Sequence, residues 1–211
     1  MLTVLGPEGR YPDTGPEREV LGPGVRVLQG GAKSSLAELP DALLAGVDGL
    51  MTLRMPLPAG QLARFPRLKV VVRMSVGYDR VDSAACAARG VTVCNVPDYG
   101  TQEVAEFAVL LALALRRGLL LYHDAQRGPD PAPWGVMPSP LHRRQEGQTF
   151  GIVGLGRIGT AAALRARAFG YRVAFFDPHL PNGWDRAVGA ERARTLEDLL
   201  AGPTCSRSTR R

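Results

Sequence analysis

Cysteine is scarce in this chain: Cys86, Cys94 and Cys205 are its only three in 211 residues. An odd, irregularly spaced set supports neither a disulfide framework nor a zinc site. It points to a reducing compartment, read here as the cytoplasm, with Cys86 and Cys94 as plain buried thiols. Long apolar runs are missing as well. The most apolar stretch, Phe107 to Leu115, covers nine residues, against the roughly 20 that a membrane-spanning helix needs, so it is read as part of a buried helix. The four residues Leu2 to Leu5 that precede Gly6-Pro7-Glu8-Gly9-Arg10 are too few for a secretory leader.

Aromatic residues make up 6% of the chain, and they do not interleave with its basic residues. The net charge of +6 owes half its value to Arg207, Arg210 and Arg211. The pairs Arg116-Arg117 and Arg143-Arg144 stand isolated and read as solvated helix and loop ends, so a direct nucleic-acid interface is excluded. Histidine is nearly absent too, with His123, His142 and His179 alone.

What is present is the composition of a globular protein, 45% hydrophobic and 22% charged. Short apolar runs at Leu2 to Leu5, Val25 to Leu28, Val47 to Leu53, Leu68 to Met74 and Val91 to Val96 read as strands. Helical stretches at Leu36 to Ala45, Pro58 to Ala63 and Arg80 to Ala88 alternate with them. That alternation predicts a doubly wound parallel sheet, with the nearly continuous run Leu68 to Met74 as a central strand. Residues 6 to 24, rich in Gly, Pro and charge, read as a loop with at most a frayed helical turn. Thr101 to Leu120 reads as one long helix, with Glu103 and Arg116-Arg117 placed to suit its dipole. Its apolar residues go nearly all round, so one face meets its own domain and another a dimer partner. A proline-rich loop at 128–148 follows.

The densest information lies in Thr149-Phe150-Gly151-Ile152-Val153-Gly154-Leu155-Gly156-Arg157-Ile158-Gly159, an Ala-rich helix, and Tyr171 to Asp177. This is a strand, a Gly-x-Gly-x-x-Gly turn, a helix, a second strand and an acid. Gly154 allows the tight turn, Gly156 lets backbone approach a pyrophosphate, and Gly159 lets the helix pack closely on the strand. The N–H groups opening the helix, at Arg157 and Ile158, face the phosphates together with the positive end of the helix dipole, and the Arg157 side chain can add a charge. Asp177, 18 residues after Gly159, stands where a carboxylate accepts hydrogen bonds from the adenosine ribose. Its charge repels a 2′-phosphate, favouring NAD over NADP.

With that motif in place, the chain resembles the D-isomer-specific 2-hydroxyacid dehydrogenases, most closely their C-terminal-binding-protein-like branch, over about residues 47 to 200. Four stretches carry the resemblance: Val72 to Asp82; Cys94 to Thr101 with Glu103-Val104-Ala105-Glu106; the glycine motif; and Asp177 to Gly183 running on to Thr195 to Leu200. It implies a flavodoxin-like N-terminal substrate domain at 1–98 and an incomplete Rossmann NAD-binding domain at 99–201, with a cleft between them. It also implies that Ser75, Val76 and Gly77 present backbone N–H groups to a substrate carboxylate, and that Thr101 lies near the nicotinamide. The implied partners are a small 2-hydroxy or 2-oxo acid and a second copy bound through helix 101–120.

That family uses an arginine, a glutamate and a histidine for the chemistry, because hydride transfer needs a base for the hydroxyl proton and a cation to polarise the carbonyl. No match to these three is found. His123 reads as the end of the long helix, His142 as part of a loop beside two arginines, and His179 as lying on the adenosine side; each reads as a surface residue. Beyond Leu200 the family continues into an apolar strand, whereas residues 202–211 form an aberrant basic tail of the kind a frameshift or wrong gene model gives, expected to be disordered. The expectation is therefore an NAD-dependent oxidoreductase acting on the CH–OH group of a 2-hydroxy acid, inactive as this chain. The alternative is an NAD-responsive dimeric scaffold of the transcriptional corepressor type, found in the nucleus as well. Residues 1 to 46 depart from that branch's pattern.

Overall fold

The computed structural model describes residues 1–9, 13–32, 34–139 and 142–202, and the backbone of 205–208. It divides into two compact units, Met1–Tyr99 and Gly100–Arg211.

The first unit is built on β1 (Leu2–Gly6), β2 (Val25–Gln29), β3 (Gly49–Thr52), β4 (Val70–Arg73) and β5 (Thr92–Asn95). All pairings are parallel, in the order β2-β1-β3-β4-β5, which is the winding of flavodoxin-like sheets. Between the strands run α1 (Gly15–Leu21), a 3-10 turn at Leu36–Glu38, α2 (Asp41–Leu44), α3 (Ala59–Leu62) and α4 (Ser83–Ala88). Leu5, Leu50 and Val71 from the sheet, Leu44, Leu57, Leu62 and Phe65 from its coverings, and Cys86 from α4 form one core. The middle strand is β3, so the run around Val70–Arg73 lies one place from the edge. Its burial alternates, with Val71 and Arg73 buried and Val70 and Val72 half-buried.

Three expectations for this unit are corrected. Residues 15–21 form a true helix where a loop was expected, because Pro16 in its first turn presets the helical φ. The helix expected at Leu36 to Ala45 splits around Pro40, which has no N–H to continue the first piece and starts the second. Cys94 is also exposed rather than buried, since β5 is an edge strand.

The second unit holds α5 (Thr101–Arg116), α6 (Leu119–Arg127), β6 (Thr149–Val153), α7 (Arg157–Ala168), β7 (Arg172–Phe176), α8 (Trp184–Val188), β8 (Glu191–Arg192), α9 (Leu196–Ala201) and β9 (Cys205–Ser208). Its sheet is parallel, in the order β8-β7-β6-β9. The small residues Ala105 of α5 and Ala161 and Ala162 of α7 pack together in one buried cluster. Arg165 fastens the two helices from the rim, donating to Gln102 at 2.7 Å and Glu106 at 2.9 Å.

Here the single helix expected over 101–120 is two. Gly118 adopts φ +62°, a left-handed turn that ends α5 and starts α6. Phe107, Leu110, Leu111 and Leu115 are exposed, not buried, while Arg116, expected to be solvated, is buried. The tail is not wholly without structure either: Cys205–Ser208 pairs with β6 in parallel. An extended backbone satisfies an open strand edge whatever its side chains, so an apolar sequence is not required. The remaining residues of 203–211 lie outside those described.

Candidate functional sites

The glycine turn follows β6 directly. Gly154 has φ +88°, closed to most side chains, and its N–H donates to Phe176 O at 2.8 Å, which ties the turn to the end of β7. A side chain on Gly159 would place its Cβ 2.2 Å from Gly154 O and 3.3 Å from Ile152. The helix can therefore lie against the strand only with glycine there. Among the described residues, the N–H groups of Gly156, Arg157, Ile158 and Gly159 have no acceptor, the condition in which a helix start receives an anion. Arg157 is exposed beside them.

Asp177 is buried, 3% exposed, and is the next residue after β7. One carboxylate oxygen accepts the Leu155 N–H at 3.0 Å and the other the His179 N–H at 2.9 Å. It thus braces the glycine turn as well as its own. Beyond it opens a cavity of about 830 Å³, lined among others by Asp177, Asn182, Arg186, Arg192 and Arg194. The Arg192 guanidinium donates to the carbonyls of Asp177, Leu180 and Pro181 at 2.7–3.1 Å and lies over the Phe175 ring. Nothing in the sequence singles out this clamp, because the carbonyls it holds lie 11 to 15 residues away. Thr101 is buried at the first position of α5.

In the first unit, Ser75, Val76 and Gly77 leave the carboxyl end of β4, the edge at which open α/β sheets bind ligands. A Cβ on Gly77 would come within 3.2 Å of Asp79 Oδ1. Arg73 is buried at 5% exposure, and its guanidinium donates to Gly77 O and Met55 O, each at 3.3 Å. Burial lowers its pKa, with the Glu8 charge opposing. Arg73 is thus held by carbonyl bonds, with the Glu8 charge acting at longer range.

Glu8 itself was not singled out. One of its oxygens accepts from the Thr52 hydroxyl and from the N–H groups of Leu53, Arg54 and Met55, at 2.8–3.0 Å. Burial pushes this carboxyl up, and the hydrogen bonds from Arg54, Met55, Thr52 and Leu53 more than reverse that, so its pKa lies below the ordinary value. No local signal reveals it, because the partners are more than 40 residues apart.

The three histidines all lie in the second unit. His123 is an exposed residue within α6, not at a helix end. His142 stacks on Tyr122 with centroids 5.6 Å apart. His179 is exposed beyond Asp177. Among the described residues there is no group of three metal-ligating side chains, and no helix is long and apolar enough to cross a membrane.

The chain belongs to the D-isomer-specific 2-hydroxyacid dehydrogenases: the family model described as "D-isomer specific 2-hydroxyacid dehydrogenase, catalytic domain" matches residues 22–206. It is 40% identical over 158 residues to a glyoxylate reductase of Thermococcus kodakarensis, covering 73% of this chain and 47% of that protein. It is 34% identical over 165 residues to C-terminal-binding protein 1 of Caenorhabditis elegans, covering 75% of this chain and 22% of that protein. The chain thus spans less than half the length of either curated relative. Among solved structures, an NADPH-dependent glyoxylate/hydroxypyruvate reductase of Sinorhizobium meliloti in complex with citrate matches with TM-score 0.81 and 31% identity, over 99% of this chain and 63% of that one. A D-lactate dehydrogenase of Aquifex aeolicus complexed with NAD and lactic acid matches with TM-score 0.85 and 22% identity, over 99% and 60%, a likeness of fold. Coenzymes of both kinds, NAD and NADP, therefore occur among these relatives.

Proposed function

We propose that this chain carries the coenzyme-binding and carboxylate-binding parts of an NAD-dependent oxidoreductase acting on the CH–OH group of a small D-2-hydroxy acid. The observation that carries the reading is the row of acceptor-free N–H groups at Gly156, Arg157, Ile158 and Gly159, braced by Asp177 through Leu155. A diphosphate satisfies those donors, while Gly154 permits the turn and Gly159 lets the helix lie against the strand. Asp177 takes the ribose hydroxyls and disfavours a 2′-phosphate, while Arg192, which donates to the Asp177 carbonyl, is occupied by three carbonyls in all. Thr101 serves the nicotinamide end of the coenzyme. When bound, the coenzyme supplies the hydride acceptor or donor.

The second unit, with its four-stranded sheet, takes the part of an incomplete Rossmann domain, and 1–98 that of the substrate domain. Ser75, Val76 and Gly77 hold the acid's carboxylate through backbone N–H groups. No match to the family's arginine, glutamate and histidine is found in this chain, so on this reading it binds but does not turn over a 2-oxo acid. NADH oxidation with glyoxylate or pyruvate, above that of a Gly156→Asp control, overturns this reading; its absence alongside measurable NAD binding supports it.

The exposed row Val104, Phe107, Leu110, Leu111 and Leu115 on α5 is an apolar surface that a second copy covers. The identity with C-terminal-binding protein 1 favours a second reading, a coenzyme-responsive dimeric scaffold of the corepressor type. NAD-dependent co-precipitation with short corepressor-type peptides distinguishes it.

A further inference from the structure

The loop Ser75–Gly77 is held from one side. Ser75 O accepts the Val96 N–H at 3.2 Å. Val76 O accepts the Asn95 side-chain amide at 2.8 Å. Gly77 O accepts the Ser75 hydroxyl at 2.9 Å and the Arg73 guanidinium at 3.3 Å. The N–H groups of the same three peptide units, on Val76, Gly77 and Tyr78, have no acceptor among the described residues. In a trans peptide the C=O and N–H point opposite ways within one rigid plane, so anchoring the carbonyls aims the N–H groups to the other side. A hydrogen bond to the carbonyl also polarises the N–H of its own plane.

The three anchors differ in kind. Val96 acts through its backbone, continuing the β4–β5 ladder, and needs no particular side chain. Gly77 O has two donors. The plane that carries the Gly77 N–H depends on Asn95 alone. Asn95 is the register partner of Arg73 at the carboxyl ends of neighbouring strands, so the sheet delivers both side chains to one loop. Of the two ends of the Asn95 amide, only the NH2 can donate to a carbonyl, which fixes its orientation.

We infer that Asn95 is a positioning residue for the substrate carboxylate: it holds the Val76 carbonyl so that the Gly77 N–H faces the anion. This rests on the reading of Ser75–Gly77 as the carboxylate loop. Asn95→Asp keeps size and shape but replaces the donor with an acceptor that repels Val76 O.

The test is NMR on the 211-residue protein, with sodium oxalate as the probe. In the wild type, a scalar coupling across the hydrogen bond links Asn95 Nδ2 to the Val76 carbonyl carbon, and oxalate shifts the Gly77 amide. In Asn95→Asp the Gly77 N–H vector reorients in residual dipolar couplings while those of Val72 and Val93 hold, and the oxalate dissociation constant rises about tenfold, the loss of roughly one charge-assisted hydrogen bond. Unchanged Gly77 couplings or unchanged affinity in the variant overturns the role of Asn95 alone. No oxalate shift at Val76 or Gly77 in the wild type overturns the carboxylate reading and this inference with it. Where Asn95→Asp costs the fold, the wild type decides: an absent Asn95–Val76 coupling overturns the inference, and its presence with a Gly77 shift sustains it.

Discussion

Asp177 accepts the Leu155 N–H at 3.0 Å across 22 residues of sequence, so the acid after the second strand of this unit's β-α-β motif is also what closes the glycine turn after the first. Its other oxygen accepts the His179 N–H, and the carboxylate is buried. In Asp177→Asn one of these N–H groups faces an amide NH2 instead. Loss of a buried hydrogen bond to a charged group costs about 2 kcal/mol, read as a lower urea midpoint. Coenzyme affinity falls at least tenfold. An unchanged midpoint contradicts the bracing role.

On the proposed reading, the same residue sets coenzyme choice. NAD is expected to bind at least ten times more tightly than NADP by calorimetry, and Asp177→Ser to narrow that ratio by removing the repulsion of the 2′-phosphate. Equal affinities in the wild type would contradict that role and point to Arg186 and Arg194, which line the neighbouring cavity, as offsetting the repulsion.

Gly159→Ala puts a methyl group 2.2 Å from Gly154 O. Because that neighbour is backbone, the helix has to lift from the strand, an overpacking expected to cost about 2–3 kcal/mol and to abolish coenzyme binding. Gly170→Ala, where nothing lies within 4 Å but φ is +85°, is expected to cost less, about 1 kcal/mol. Equal losses in the two variants would argue against close packing at Gly159.

Glu8 contributes to the acid limb of stability. Its folded pKa lies below the ordinary 4.5, so its contribution is fully present above that value and is lost as pH falls through the lowered folded value. The difference in urea midpoint between wild type and Glu8→Gln should therefore be constant from pH 7 to 5 and shrink below about 4.5. A difference independent of pH would show that the carboxylate charge is not what holds Leu53, Arg54 and Met55.

For the apolar row on α5, the double variant Phe107→Glu, Leu110→Lys places charges on two residues more than half exposed. It should leave the circular dichroism spectrum intact and shift sedimentation from dimer to monomer. A wild type that sediments as a monomer at all concentrations contradicts the pairing.

What the sequence disclosed, and what it withheld, follows from range. The glycine triplet, the strand before it and the spaced acid are local, so Gly154, Gly159 and Asp177 could be placed before any coordinates. The helix start at Pro16 and the break at Pro40 are equally local, but composition and periodicity outweigh them when the sequence is read alone. Asn95 and Glu8 were invisible for another reason: their partners are fixed by strand register and by loops meeting across the sheet, which no window of sequence contains. The pairing of Cys205–Ser208 with β6 depends on an open edge rather than on its own side chains.

The central claim is that the N–H groups opening α7 hold a diphosphate, and titrating NAD into the 211-residue protein while following backbone amides by NMR tests it most directly. The account predicts saturable shifts at Gly156, Arg157 and Ile158, in the millimolar range, that Gly156→Asp abolishes without loss of spectral dispersion. Amides of the turn that stay unmoved at saturating NAD would contradict it.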